Sequence, residues 1–276
     1  MPEKRESITG DIRKILQPEV NSTPQLIIFS KKSTIRLKYV LDFIFRQSLQ
    51  ISYTLTSDQN EFKGSNLAKL NYSVEPFDNS FQVFPSGFLN EEGVRNFIPD
   101  SYKKNGLLYF FSVNGGNTEH DIFSAIFYCI SRYEEWLPYT ADKHNRFELN
   151  NSIFFKNGFH KIPVVDHWVI ELRDLLRSKL KNFNFPERKY QYISTIDVDN
   201  VYAYKAKPWY RVGGALLKDL AKLDLQNFSA RIKTVCFGAA DPFDAYDLQI
   251  ETAKQSKTPL IYLDRKSTRL NSSHRL

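Results

Sequence analysis

From Leu26 onward the chain alternates short apolar runs with apolar positions at helical spacing, and each pattern sets an expected element. Leu26-Ile-Ile-Phe29 is continuous and of strand length. Leu37, Val40, Leu41, Ile44 and Phe45 recur every three or four residues, which predicts a helix with Ser33 or Thr34 as its cap. Ile51 to Thr56 predicts a second strand, so the segment opens β-α-β. Residues 57 to 105 read as strand fragments and turns: Leu70 to Val74, Phe81 to Phe84, and Pro85-Ser-Gly87. Gly106 to Val113 is another apolar strand, stopped by Asn114-Gly115-Gly116. Thr118 and Asp121 have the spacing of a capping box. The helix they open buries Ile122, Phe123, Ile126, Phe127, Cys129, Ile130 and Tyr133, and ends before Pro138. Asn151 to Phe155, with the Asn157-Gly158 turn, predicts a hairpin. Trp168 to Leu180 predicts an amphipathic helix capped by Asp166.

Lys181 to Lys189, containing Pro186, is the expected linker between two domains, 25–186 and 190–263. Residues 1–24 are a polar lead-in. Beyond the linker, Tyr190 to Val198 is an alternating apolar strand. Helical patterns follow at Gly213 to Leu223, Phe228 to Phe237 and Phe243 to Lys254, the last introduced by Asp241-Pro242. A proline-led strand at 259–263 completes a strand–helices–strand order, the start of a parallel α/β unit. The expected class is therefore α/β.

Composition narrows the function classes. Aromatics make up 14% of the 276 residues, with 22 Phe and 15 Tyr, which suits well-filled, sheet-rich cores. Of the net charge of +7, residues 264–276 carry +3, from Arg265, Lys266, Arg269 and Arg275 against Asp264. The rest is mildly basic and well mixed, with no basic and aromatic stripe, so a nucleic-acid partner is not expected. No 18-residue apolar run is present, so no membrane span is expected. MPEKRESITG holds no apolar signal region, so the expected location is cytoplasmic. Cys129 and Cys236 form neither a disulfide framework nor a metal-type spacing.

The chemistry concentrates at Asp197-Val-Asp199-Asn200. Alternation along a strand puts Asp197 and Asp199 on one face, at the strand's C-terminal end, where α/β enzymes place their sites. Two carboxylates side by side repel unless a cation or a shared proton intervenes, and a hard or borderline divalent ion is the economical partner. Asp and Asn also simply end strands and start turns. Charges at Arg132, Glu134 and Glu135 could line a polar groove, although charges at the end of an amphipathic helix usually face solvent. Gly115-Gly116 is too short for a phosphate loop.

Thr195-Ile-Asp-Val-Asp-Asn200, followed by Tyr202-Ala-Tyr204, resembles the first motif of bacterial polysaccharide deacetylases. Upstream, Ser131-Arg-Tyr-Glu-Glu-Trp-Leu-Pro138, Gly158 and Pro163-Val-Val-Asp166 with Trp168 resemble an uncharacterised domain that precedes the deacetylase domain in one subfamily. The resemblance implies an N-terminal mixed α/β domain followed by the opening βα units of an incomplete (β/α) barrel. It implies a glycan substrate, removal of its N-acetyl groups, and zinc or a similar divalent metal as cofactor. Asp197 would be the general base. The family's metal-binding carboxylate would fall on Val198, so Asp199 takes that place. The family's two metal histidines and its acid histidine have no counterpart here. His120, His144, His160 and His167 lie upstream and are expected to be surface or structural groups.

Asp264 to His274 resembles the in-frame translation of a short-read sequencing adapter, which fits it codon for codon. Residues 264–276 are accordingly expected to be an artefactual tail on a truncated, inactive deacetylase fragment. Two alternatives stand beside this reading. One is a non-catalytic carbohydrate-binding or assembly module with a vestigial Asp pair. The other is a metal-independent sugar-modifying enzyme.

Overall fold

An uninterrupted apolar run survives only where both faces of a strand are covered, and β1 (Leu26–Ser30) is buried at all five positions. The computed structural model describes residues 23–180, 183–187, 190 and 192–264. The chain divides into two units, residues 1–187 and 188–276. Most of the expected lead-in, and the tail from residue 265 on, lie outside the described residues.

In the first unit β1 is flanked by β2 (Tyr53–Thr56) and β3 (Ala68–Tyr72), and β3 by the short β4 (Phe81–Gln82). All neighbours run parallel, in the order β2-β1-β3-β4, with Leu26 opposite both Tyr53 and Ala68. Leu26 and Ile28 face the larger core. Ile27 and Phe29 face the other way, onto Phe62 of α2 (Gln59–Gly64), with Phe77 closing an aromatic trio. The larger core takes Leu37, Val40 and Leu41 of α1 (Ile35–Leu41), which Thr34 caps through its side-chain oxygen. The helix runs on as a π-helical stretch, Asp42–Ser48, that brings Ile44 and Phe45 into the same core.

Several elements add to or depart from the sequence expectations. The apolar segment after Gly106 pairs outside the parallel sheet: β6 (Leu107–Phe110) forms an antiparallel hairpin with β5 (Ser101–Lys104), joined by Asn105-Gly106, both at positive φ. That is the backbone a tight hairpin turn demands. The cap of α3 (Ile122–Ile130) is Asp121 itself, whose side chain accepts the Ser124 N–H; Thr118 takes no part, and its buried hydroxyl is unpaired. Residues 151–158 form no hairpin. They make a short helix, α4 (Ile153–Asn157), capped by Ser152 and ended by Gly158 at φ +83°. A Ser before an apolar stretch and a Gly after it are helix punctuation, and they override the strand-like Ile-Phe-Phe.

The larger core closes with α5 (Val164–Lys179), which buries Trp168, Leu172 and Leu176 at four-residue intervals. Its N-cap position is Pro163, with Asp166 in the first turn rather than at the cap. Gly115 and Gly116 have a packing role: a Cβ on Gly115 would sit 2.3 Å from the Phe84 ring, and one on Gly116 2.8 Å from the Gln82 carbonyl.

The second unit is a parallel strand pair with its crossover. β7 (Ser194–Val198) is followed by α6 (Trp209–Ala221), α7 (Leu225–Cys236) and α8 (Tyr246–Gln255), then β8 (Leu260–Asp264). Ser194 pairs with Leu260 and Asp197 with Leu263. Among its described residues only Thr234, Asp241 and Ile261 are buried, while Trp209, Leu223 and Phe237 are more than three-quarters exposed. No described helix of either unit is long and apolar enough to cross a membrane.

Candidate functional site

β7 delivers the two sequence-selected carboxylates. Exposure alternates along Ser194–Val198, with Thr195 and Asp197 outward, and Asp199, just past the strand end, is exposed as well. Neither carboxylate forms a hydrogen bond or ion pair with a described residue, so both are open to an external group. The parallel register fixes Asp197 opposite Leu263 of β8.

What holds the chain after Asp199 is a residue that spacing did not single out as functional. Asp241, 3% exposed, accepts four backbone N–H bonds. Its Oδ1 takes those of Ala203 at 2.8 Å and Phe243 at 3.0 Å; its Oδ2 takes those of Tyr204 at 2.8 Å and Lys205 at 3.0 Å. Burial alone would push its pKa up, but the backbone donors outweigh burial and hold it down at about 2. The same loop is tied at Val201, whose carbonyl accepts from the Tyr246 hydroxyl at 2.9 Å. Arg231 lies 4.6 Å from the Tyr204 ring centre and bonds Asp219 at 3.0 Å. The signal was present as Asp241-Pro242, but it reads locally as a helix start. Three of its four partners lie almost forty residues upstream.

A catalytic zinc site normally takes three protein ligands. No group of three or more His, Cys, Asp or Glu side chains that could hold a metal occurs among the described residues. Asp197 and Asp199 therefore do not by themselves fit such an ion. The four upstream histidines all belong to the first unit. His144, His160 and His167 are exposed, and His120 is buried in the first unit against Tyr109 and Trp168, with ring centres 4.9 and 6.3 Å away.

The first unit has its own buried polar centre at Asp121, which is fully buried. Its Oδ2 accepts from the Tyr72 hydroxyl at 2.9 Å, the Ser86 N–H at 2.7 Å and the Ser124 hydroxyl at 2.5 Å. This network ties the C-terminal end of β3 to the start of α3. Every donor is satisfied within it, which marks it as structural.

The Arg132, Glu134 and Glu135 trio divides. Arg132 pairs with Glu135 at the surface, whereas Glu134 turns inward and accepts the Ile153 N–H at 3.0 Å. Searches of curated proteins and of solved structures give no match to the chain. The model of a family of unknown function, DUF7033, matches residues 26–181, which takes in the parallel sheet, the Asp121 network and the inward-turned Glu134. The chain belongs to that family.

Proposed function

We propose that the second unit is the opening part of a metal-dependent glycan deacetylase, a hydrolase that removes N-acetyl groups. In the complete site Asp197 would be the general base for the attacking water, and Asp199 would be one of the residues holding the metal. One observation carries the reading. Two unpaired, exposed carboxylates stand at the C-terminal end of a parallel strand, beside a loop that Asp241 locks in place. A strand end of this kind is where parallel α/β folds present reactive groups. A loop clamped through three of its backbone N–H groups restricts the chain that carries them.

At this strand end the described residues supply only these two carboxylates, so the reading requires further metal ligands, and an acid to protonate the leaving amine, from residues outside them. The chain as written will therefore show no turnover of an N-acetylated oligosaccharide, with or without added zinc. The decisive experiment is to read the genomic locus past position 263 and assay the longer product. A His-x-x-x-His motif within a few tens of residues, with zinc-dependent turnover abolished in Asp197→Asn, supports the proposal. A longer product with neither motif nor activity favours a non-catalytic carbohydrate-binding or assembly module. The incomplete ligand set is the observation on that side.

A further inference from the structure

The inward turn of Glu134 puts its carboxylate on the wall of a solvent-open cavity in the first unit, well apart in sequence from Asp197 and independent of the reading given to it. Arg132 leaves α3 at φ +53°, a left-handed conformation that a non-glycine residue adopts only under constraint. The turn that follows, Tyr133–Trp136, sends Glu135 back to Arg132 and Glu134 toward α4. One Glu134 oxygen accepts the Ile153 N–H; the other makes no hydrogen bond to a described residue. Facing it is Tyr128, 2% exposed, its ring packed among Phe88, Phe110 and Tyr133. Its hydroxyl has no hydrogen-bond partner among the described residues. Burial and the nearby Glu134 charge push the phenol pKa up, so the hydroxyl stays a donor.

Tyr128 and Glu134 line a cavity of about 120 Å³. Tyr139 and Phe147 form its aromatic wall, their ring centres 5.1 Å apart. Asn151 and Lys156 complete the polar side, held by the Asn151 amide on the Thr140 carbonyl and the Lys156 ammonium on the Asn151 carbonyl. The volume is below the ~300–1,000 Å³ of a pocket for a drug-sized ligand and close to the roughly 150 Å³ that accepts one benzene ring.

We infer that this cavity binds a single pyranose ring of a sugar. The unpaired groups decide the class. Tyr128 offers a donor, while the free Glu134 oxygen and the Asn151 side-chain oxygen need donors, and a ring carrying several hydroxyls supplies both at once. An apolar ring would displace water from these groups without replacing its hydrogen bonds, and with both the Glu134 carboxylate and the Lys156 ammonium in the lining neither sign of charge alone is favoured. The C–H face of a pyranose is apolar with slightly positive hydrogens, which suits the electron-rich faces of Tyr139 and Phe147.

The test titrates the full 276-residue chain with glucose, galactose and N-acetylglucosamine, using calorimetry and ligand-observed NMR. At least one sugar should bind in the millimolar range, and Tyr128→Phe should weaken it about tenfold or more. The melting temperature of that variant should not fall, because the hydroxyl gives up no protein partner. Glu134→Gln should weaken binding while still accepting the Ile153 N–H. Equal binding by wild type and Tyr128→Phe, or binding of none of the three sugars, overturns the inference. Tighter binding of benzoate than of every sugar overturns the ligand class. A lowered melting temperature in Tyr128→Phe overturns the premise of an unpaired hydroxyl.

Discussion

Acidification from pH 7.5 to 5 will cost the 1–187 unit about 2 kcal/mol through His120 alone. Burial is the main cause: it lowers the imidazole pKa from 6.5 to about 4, with Lys104 adding to the fall and Glu119 opposing it. The unfolded chain therefore takes up a proton near pH 6.5 that the folded unit refuses until about pH 4. Stability from this group is complete above 6.5 and drains away as pH falls toward 4. At about 1.4 kcal/mol per pKa unit the whole span is worth roughly 3 kcal/mol, of which about 2 is lost by pH 5. Urea unfolding followed by tryptophan fluorescence measures it cleanly. Trp168 is fully buried beside His120, whereas Trp136 and Trp209 are largely exposed and change little on unfolding. His120→Phe keeps a ring against Tyr109 and Trp168 without the titration, so its stability should fall about 2 kcal/mol less over the same pH range. Parallel pH profiles for the two proteins would refute the argument.

Four further outcomes follow from the packing. The segment 25–186 expressed alone should melt in one cooperative transition, because its sheet, α1, α3 and α5 share one core; a broad melt with strong dye binding would count against that. Asp241→Ala should speed amide hydrogen exchange at Ala203, Tyr204 and Lys205 by about tenfold or more. In the wild type, protection of those amides should hold above pH 3.8 and fade only toward pH 2, as the carboxyl titrates. Gly116→Ala combines φ +81° with a Cβ 2.8 Å from the Gln82 carbonyl, and should cost about 1–3 kcal/mol in urea unfolding.

Periodicity carried most of the element assignments because the apolar positions it tracks are the ones that end up buried. Leu37, Val40, Leu41, Ile44 and Phe45 face the core as their spacing implies. The π-helical turn from Asp42 onward leaves no mark in that spacing, since one wider turn shifts the buried face only slightly. The failures share a different cause. Ile153-Phe-Phe155 is strand-like in composition, and its state is set instead by the flanking Ser152 and Gly158, whose capping outweighs propensity over so short a segment. Gln59–Gly64 passed as a turn because it buries one side chain, Phe62, and a single apolar residue has no period.

The candidate carboxylates were legible for the opposite reason to the groups that matter around them. Asp197 on β7 and Asp199 just past its end are two residues apart in the chain, so their relation is local and the sequence states it directly. Asp241 acts on backbone N–H groups of Ala203, Tyr204 and Lys205, which every non-proline residue possesses, so nothing in those side chains marks them as its partners. Glu134 is harder still. Its neighbour Glu135 has the same chemistry, and only the left-handed turn at Arg132 decides which carboxylate pairs at the surface and which faces Tyr128. A charge beside an amphipathic helix is therefore assigned to solvent or to a site by the backbone conformation at the helix end.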